Sequence, residues 1–154
     1  MHVPIPHRCR GETRRILRSC IAEGRRWLLQ PQDIAERKSE TEIEGLYIFS
    51  NKESGKFIPV YVGISRKVIQ RLKNHALGYS SDQATFAFLL ADADGVSKEE
   101  FNGKDSTSRK QYCKKLHDHY FFIYPYNKCA YKLQLLEVLL ACKLKTFWNS
   151  FETH

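Results

Sequence analysis

The sequence predicts an α+β domain: a small three-stranded sheet, antiparallel or mixed, flanked by helices. Three observations carry this. Two short apolar runs, residues 45–50 and 57–63, stand on either side of a turn-rich stretch. A third run, residues 119–124, is closed by Pro125. The segments around them repeat apolar residues at helical steps of three and four. At 154 residues the chain can bury one core without disulfides or a structural metal. A hydrophobic share of 42 % and an aromatic share of 12 % place it with folded globular chains rather than disordered ones.

Taken in order, residues 11–29 read as a helix. Ile16, Leu17, Cys20, Ile21, Trp27 and Leu28 form its apolar stripe, arginines fill the other face, and Pro31 stops it. Residues 31–44 are polar and acidic, a linker or a short exposed helix, so residues 1–44 form a basic extension ahead of a domain spanning 45–154. The turn chemistry of Asn51-Lys52-Glu53-Ser54-Gly55-Lys56 joins the first two runs as a hairpin. Pro59 cannot donate to a ladder and places its strand at an edge or on a bulge. A five-residue loop over 52–56 sets Tyr47 directly opposite Tyr61, both hydroxyls leaving one face; a shift of one residue would separate them. Ser65 reads as the N-cap of a helix over 66–77 that buries Val68, Ile69, Leu72 and Ala76. Residues 85–90 read as helix, 92–108 as loop and 109–118 as another helix, and 130–148, leucine-rich and free of Gly and Pro, give the strongest helical signal.

No apolar stretch reaches the length of a membrane span, and residues 1–6 lack the apolar core of a secretory signal, so the expectation is a cytoplasmic protein without membrane association. Five cysteines with no C-x-x-C pair fit reduced packing residues. His117 and His119, two apart, suit no shared metal on a helix face. The net charge of +8 is clustered. Residues 8–26 hold seven arginines against Glu12 and Glu23; residues 66–73 hold four cations and no acid; 104–115 and 128–145 are also basic. Such clustering suits a phosphate-backbone footprint and equally suits ordinary solvated faces.

Three features exceed packing needs, although each also has a plain structural reading. Glu137 lies among leucines, with Leu133, Leu140 and Ala141 at i−4, i+3 and i+4; it either meets a cation or escapes at the edge of the stripe. Arg71 and His75, four apart, share a helix face. The guanidinium could grip a phosphate and the imidazole relay a proton, or both are surface residues. Tyr47 and Tyr61 are either a functional pair or strand packing.

Gly45-Leu46-Tyr47, Tyr61-Val62-Gly63, Arg71, His75, Glu137 and Asn149, in this order and spacing, resemble the GIY-YIG nuclease superfamily. The resemblance covers residue 45 to the end of the chain. The interval between the tyrosine triplets is longer than the family pattern, and so is that from His75 to Glu137, which marks residues 78–118 as an insertion. The resemblance implies a freestanding, single-domain, metal-dependent endonuclease that hydrolyses DNA phosphodiesters by water attack. Glu137 would hold one Mg²⁺, for which Mn²⁺ can substitute. Arg71 would hold the scissile phosphate, and Tyr47 or Tyr61 would position or deprotonate the water with help from His75. Asn149 would support the site by hydrogen bonding. The DNA path would run along the basic segments, with Arg14, Arg15, Arg18, Arg66, Lys67, Lys73, Arg109 and Lys110 as phosphate contacts. A restriction-type member would act as a homodimer to cut both strands. The competing readings are a catalytically inactive nucleic-acid-binding module of the same fold, and an interaction domain whose helix 11–29 docks an acidic partner.

Overall fold

The computed structural model describes residues 42–126 and 129–149. The expected helix 11–29, with Arg14, Arg15 and Arg18, lies outside the described residues. Strands β1 (Gly45–Glu53), β2 (Lys56–Ser65) and β3 (Tyr120–Pro125) form one antiparallel sheet in the order β2-β1-β3. Between β2 and β3 run helices α1 (Val68–Leu77), α2 (Thr85–Ala93), α3 (Lys98–Asn102) and α4 (Thr107–Lys115), then a 3₁₀ turn (Leu116–Asp118). Helix α5 (Ala130–Leu144) follows β3. Among the described residues no helix is long and apolar enough to cross a membrane.

β1 is the central strand and is covered on both faces. Its Tyr47 and Phe49 pack with Tyr61 of β2 and with Leu72, Phe86 and other residues of the α1, α2 and α4 layer. Its Leu46 and Ile48 pack with Val62 and with Leu133, Leu136 and Leu140 of α5. That is why its sequence is apolar without alternation. β2 is an edge strand, as Pro59 requires.

The hairpin differs from the expected one in register. Ser54 and Gly55 alone make the turn, both at positive φ (47° and 80°), the geometry of a tight hairpin connection. Tyr47 therefore faces Gly63, and Phe49 faces Tyr61. The register changes between Phe49 and Ser50, where Ser50 pairs with Pro59 and leaves Val60 as the extra residue of a bulge. The two tyrosines are diagonal neighbours on one face rather than opposite each other.

Helix boundaries also shift. Ser65 is not the N-cap of α1: its hydroxyl accepts the Lys67 N–H at 2.9 Å, ahead of a helix that starts at Val68. The Ile43 carbonyl takes the Val68 N–H at 2.9 Å. Residues 98–102, expected as loop, form α3, because Ser97 accepts from the Glu100 N–H at 3.1 Å. Helix α5 stops at Leu144 rather than 148, where Lys145 turns left-handed at φ 53°. The chain then doubles back, and the Trp148 N–H reaches the bulged Val60 carbonyl at 3.1 Å.

Candidate active site

Tyr47, Tyr61, Arg71 and His75 converge on the sheet face covered by α1 and α2. Tyr47, on the central strand, is 1 % exposed, whereas Tyr61, on the edge, is 8 % exposed. Their ring centroids are 6.4 Å apart. The Tyr47 ring lies across β2 at Gly63, where any Cβ would overlap it. The glycine of the Tyr61-Val62-Gly63 triplet is thus the space that Tyr47 fills. Tyr61 stacks on Phe86 at 4.9 Å with an interplanar angle of 11°.

His75 follows Arg71 by one turn of α1 and is fully buried. Its Nδ1 accepts the Phe86 N–H at 3.3 Å. The neutral ring therefore carries its proton on Nε2, which donates to the Tyr47 hydroxyl oxygen at 2.9 Å. Burial, with the Arg71 charge nearby, holds the imidazole well below its ordinary pKa, so it is neutral at physiological pH. In this arrangement, with Nδ1 accepting and Nε2 donating, His75 fixes Tyr47 and has both ring nitrogens engaged.

Burial also pushes the Tyr47 hydroxyl far above the ordinary tyrosine pKa, and it raises Tyr61; Arg71 opposes both shifts. A tyrosine serving as base here needs further positive charge beside it.

Arg71 is anchored by the segment after α1. Its Nη1 donates to the carbonyls of Asp82 (3.0 Å) and Gln83 (3.2 Å), and its Nη2 to Thr85 Oγ1 (2.8 Å). The Thr85 hydroxyl in turn donates to the Asp82 carbonyl at 3.0 Å. Segment 82–86, the start of the expected insertion, thus orients Arg71, His75 and Tyr61 together. Sequence reasoning missed these residues. Carbonyls and a main-chain N–H supply most of the contacts, and they leave no mark in a sequence.

Glu137 approaches from α5, half-buried. Burial raises its carboxyl pKa, Arg71 lowers it, and its charge reaches both tyrosines. It forms no ion pair among the described residues. Asn149 has a different task. Its Oδ1 accepts the Val62 N–H and its Nδ2 donates to the Val62 carbonyl, both at 2.8 Å. Thr146 Oγ1 donates to the same Oδ1 at 2.8 Å. Asn149 therefore satisfies the free side of edge strand β2 between Tyr61 and Gly63, and it acts on the site through the backbone.

The expected DNA contacts divide. Arg66 and Lys67 are exposed at the start of α1, Lys73 is half-buried on that helix, and Lys110 is exposed on α4. Arg109 is corrected: it is 5 % exposed and its guanidinium donates to the carbonyls of Phe101, Gly103 and Lys104. It ties α4 to the end of α3, with its guanidinium engaged by those carbonyls. Cys113, Cys129 and Cys142 are free thiols.

In comparisons with family models, curated proteins and solved structures, the chain matches none.

Proposed function

We propose that this protein is a GIY-YIG-type, metal-dependent endonuclease that hydrolyses DNA phosphodiester bonds by water attack. The observation that carries the reading is the cluster itself. Two tyrosines, an arginine and a buried histidine pack together, and a half-buried carboxylate without an ion-pair partner among the described residues lies within electrostatic reach of them.

The donor set fits Mg²⁺ or Mn²⁺. Among the described residues no three His, Cys, Asp or Glu side chains are grouped to enclose a metal. Mg²⁺ does not need such an enclosure: it keeps most of its waters and takes one or two carboxylates plus a substrate phosphate. Glu137 would supply that carboxylate, and a cation there would relieve the desolvation that raises its pKa. When bound, the metal would stabilise charge on the phosphate and on the leaving oxygen. Arg71, braced by segment 82–85, would present its remaining N–H groups to the scissile phosphate. Tyr61, the more exposed phenol, would lie against the attacking water and, once ionised beside Arg71 and added positive charge, take the water's proton, while Tyr47, held by His75, would hydrogen-bond to the Tyr61 oxygen.

The test is plasmid cleavage with Mg²⁺ or Mn²⁺. Wild type should nick or linearise the DNA, and Glu137→Ala and Arg71→Ala should each lower the rate about 10²–10³-fold or more. Nicked circles as the only product would indicate one chain acting on one strand, and linear product a pair of chains. Unchanged cutting by Glu137→Ala would sink the mechanism. One observation favours the second reading, a non-cleaving DNA-binding module: Arg71 already makes three internal hydrogen bonds. That reading predicts salt-sensitive DNA binding with no cutting in either metal.

A further inference from the structure

Beyond the tyrosine cluster, the C-terminal end of α1 and the flank of α4 enclose a cleft of about 520 Å³. Its walls are apolar, from Ala76, Leu77 and Cys113, and its rim carries Tyr79, Lys110 and Lys114. Tyr79 is 79 % exposed, an aromatic face held out to solvent. His117 also lines the cleft, and its Nε2 is shielded from solvent without a hydrogen-bond partner among the described residues. A bare phosphate would gain nothing from the apolar walls, and an aliphatic ligand nothing from the lysines. A flat ring flanked by anionic groups satisfies all of them.

The cleft is coupled to the tyrosine site. Leu77 lies six residues beyond Arg71, about 9 Å along α1, which is two to three nucleotides at about 3.4 Å per step. The Tyr79 N–H donates to Gln83 Oε1 at 2.9 Å, and the Gln83 carbonyl accepts from Arg71. One short loop therefore shapes the cleft and braces the arginine.

We propose that this cleft receives an unpaired nucleobase of the DNA strand, with Tyr79 as the stacking surface and Lys110 and Lys114 on the flanking phosphates. A base inside a duplex has both faces covered by its neighbours, so only an extrahelical or single-stranded base can use such a platform. The inference rests on the nuclease reading for its DNA substrate and sharpens it: the preferred DNA carries an unpaired nucleotide near the cut.

The test is a binding titration of the full chain in EDTA, where no cutting occurs. Three DNAs of one sequence are compared: fully paired, paired with one extrahelical 2-aminopurine, and single-stranded with the same probe. The extrahelical and single-stranded DNAs should bind about tenfold more tightly than the duplex, with quenching of the probe. Tyr79→Ala should bring the three affinities within about twofold and abolish quenching, while Tyr79→Phe retains both. The Tyr79 ring lies outside the core, so neither variant threatens folding. Equal wild-type affinities, or a preference untouched by Tyr79→Ala, would overturn the inference. The two readings fail separately. Tyr79-dependent binding without cutting in Mg²⁺ defeats the nuclease and keeps the cleft. Glu137-dependent cutting of DNA that binds identically to wild type and Tyr79→Ala defeats the cleft alone.

Discussion

Under the proposed mechanism, stability and function pull in opposite directions at Glu137. Burial disfavours its charged form in the folded chain and raises its pKa above the ordinary 4.5. The folded state therefore binds this proton more tightly than the unfolded state does, and stability falls as pH rises through the window just above 4.5. Glu137→Gln should thus melt at a higher temperature than wild type at pH 7, and the difference should vanish at a pH below the unfolded carboxyl pKa. The same variant should lose cleavage. Thermal melts across pH, with and without Mg²⁺, check this, and the metal should raise the melting temperature of wild type only. A lower melting temperature for the variant at pH 7 would show that Glu137 is paired rather than strained. His75 shows the complementary economy of a buried group: both ring nitrogens are satisfied, and the ring sets the orientation of Tyr47 without changing charge.

The arrangement of elements explains why a hydrogen bond at the chain's far end matters to a strand in the middle. The Val62 N–H and carbonyl and the Val60 carbonyl all engage the segment that follows α5, through Asn149 and Trp148, so edge strand β2 has its outer side partly satisfied there. Asn149→Ala should cost about 1–3 kcal/mol in urea unfolding, since two hydrogen bonds are lost and Val62 polar groups are left to solvent. Amide exchange at Val62 should accelerate more than at Ile48 of the central strand. The strands and the large helices were legible from the runs around Tyr47, Tyr61 and Phe121 and from the leucines of α5, because continuous burial writes itself into composition. The register was not, because Ser54-Gly55 is a complete turn and the bulge at Val60 has no signature beyond Pro59. Helix α3 was readable in principle from Ser97 and Glu100, a capping pattern. The end of α5 was not, since a lysine at φ 53° breaks the helix without Gly or Pro. The order of Arg71, His75 and Glu137 pointed to the candidate site. The brace from Asp82, Gln83 and Thr85 came only with the structure.

For the molecule as a whole, the net charge of +8 is not a measure of DNA contacts. Arg109 spends its charge inside, closing α3 onto α4, whereas its neighbour Lys110 faces solvent. Arg109→Ala should lower stability by about 2–4 kcal/mol through its lost carbonyl partners, and Arg109→Lys should recover little of it. Lys110→Ala should leave stability within about 0.5 kcal/mol but reduce the slope of log affinity against log salt by about one. Salt titrations paired with denaturant melts would separate the two; equal effects on both would refute the division. The bulge has a broader consequence for how this chain can diverge. It lies between the hairpin tip and Tyr61, so the tip can lengthen or shorten by paired residues without disturbing the tyrosines. Loss of Val60 would make Phe49–Tyr61 and Ser50–Pro59 successive pairs of an unbroken ladder and leave Tyr61 on its face. What the extra residue adds is the local bend of the edge strand and the carbonyl that meets Trp148, so the bulge is a fastening for the returning chain rather than a determinant of which way the tyrosine points.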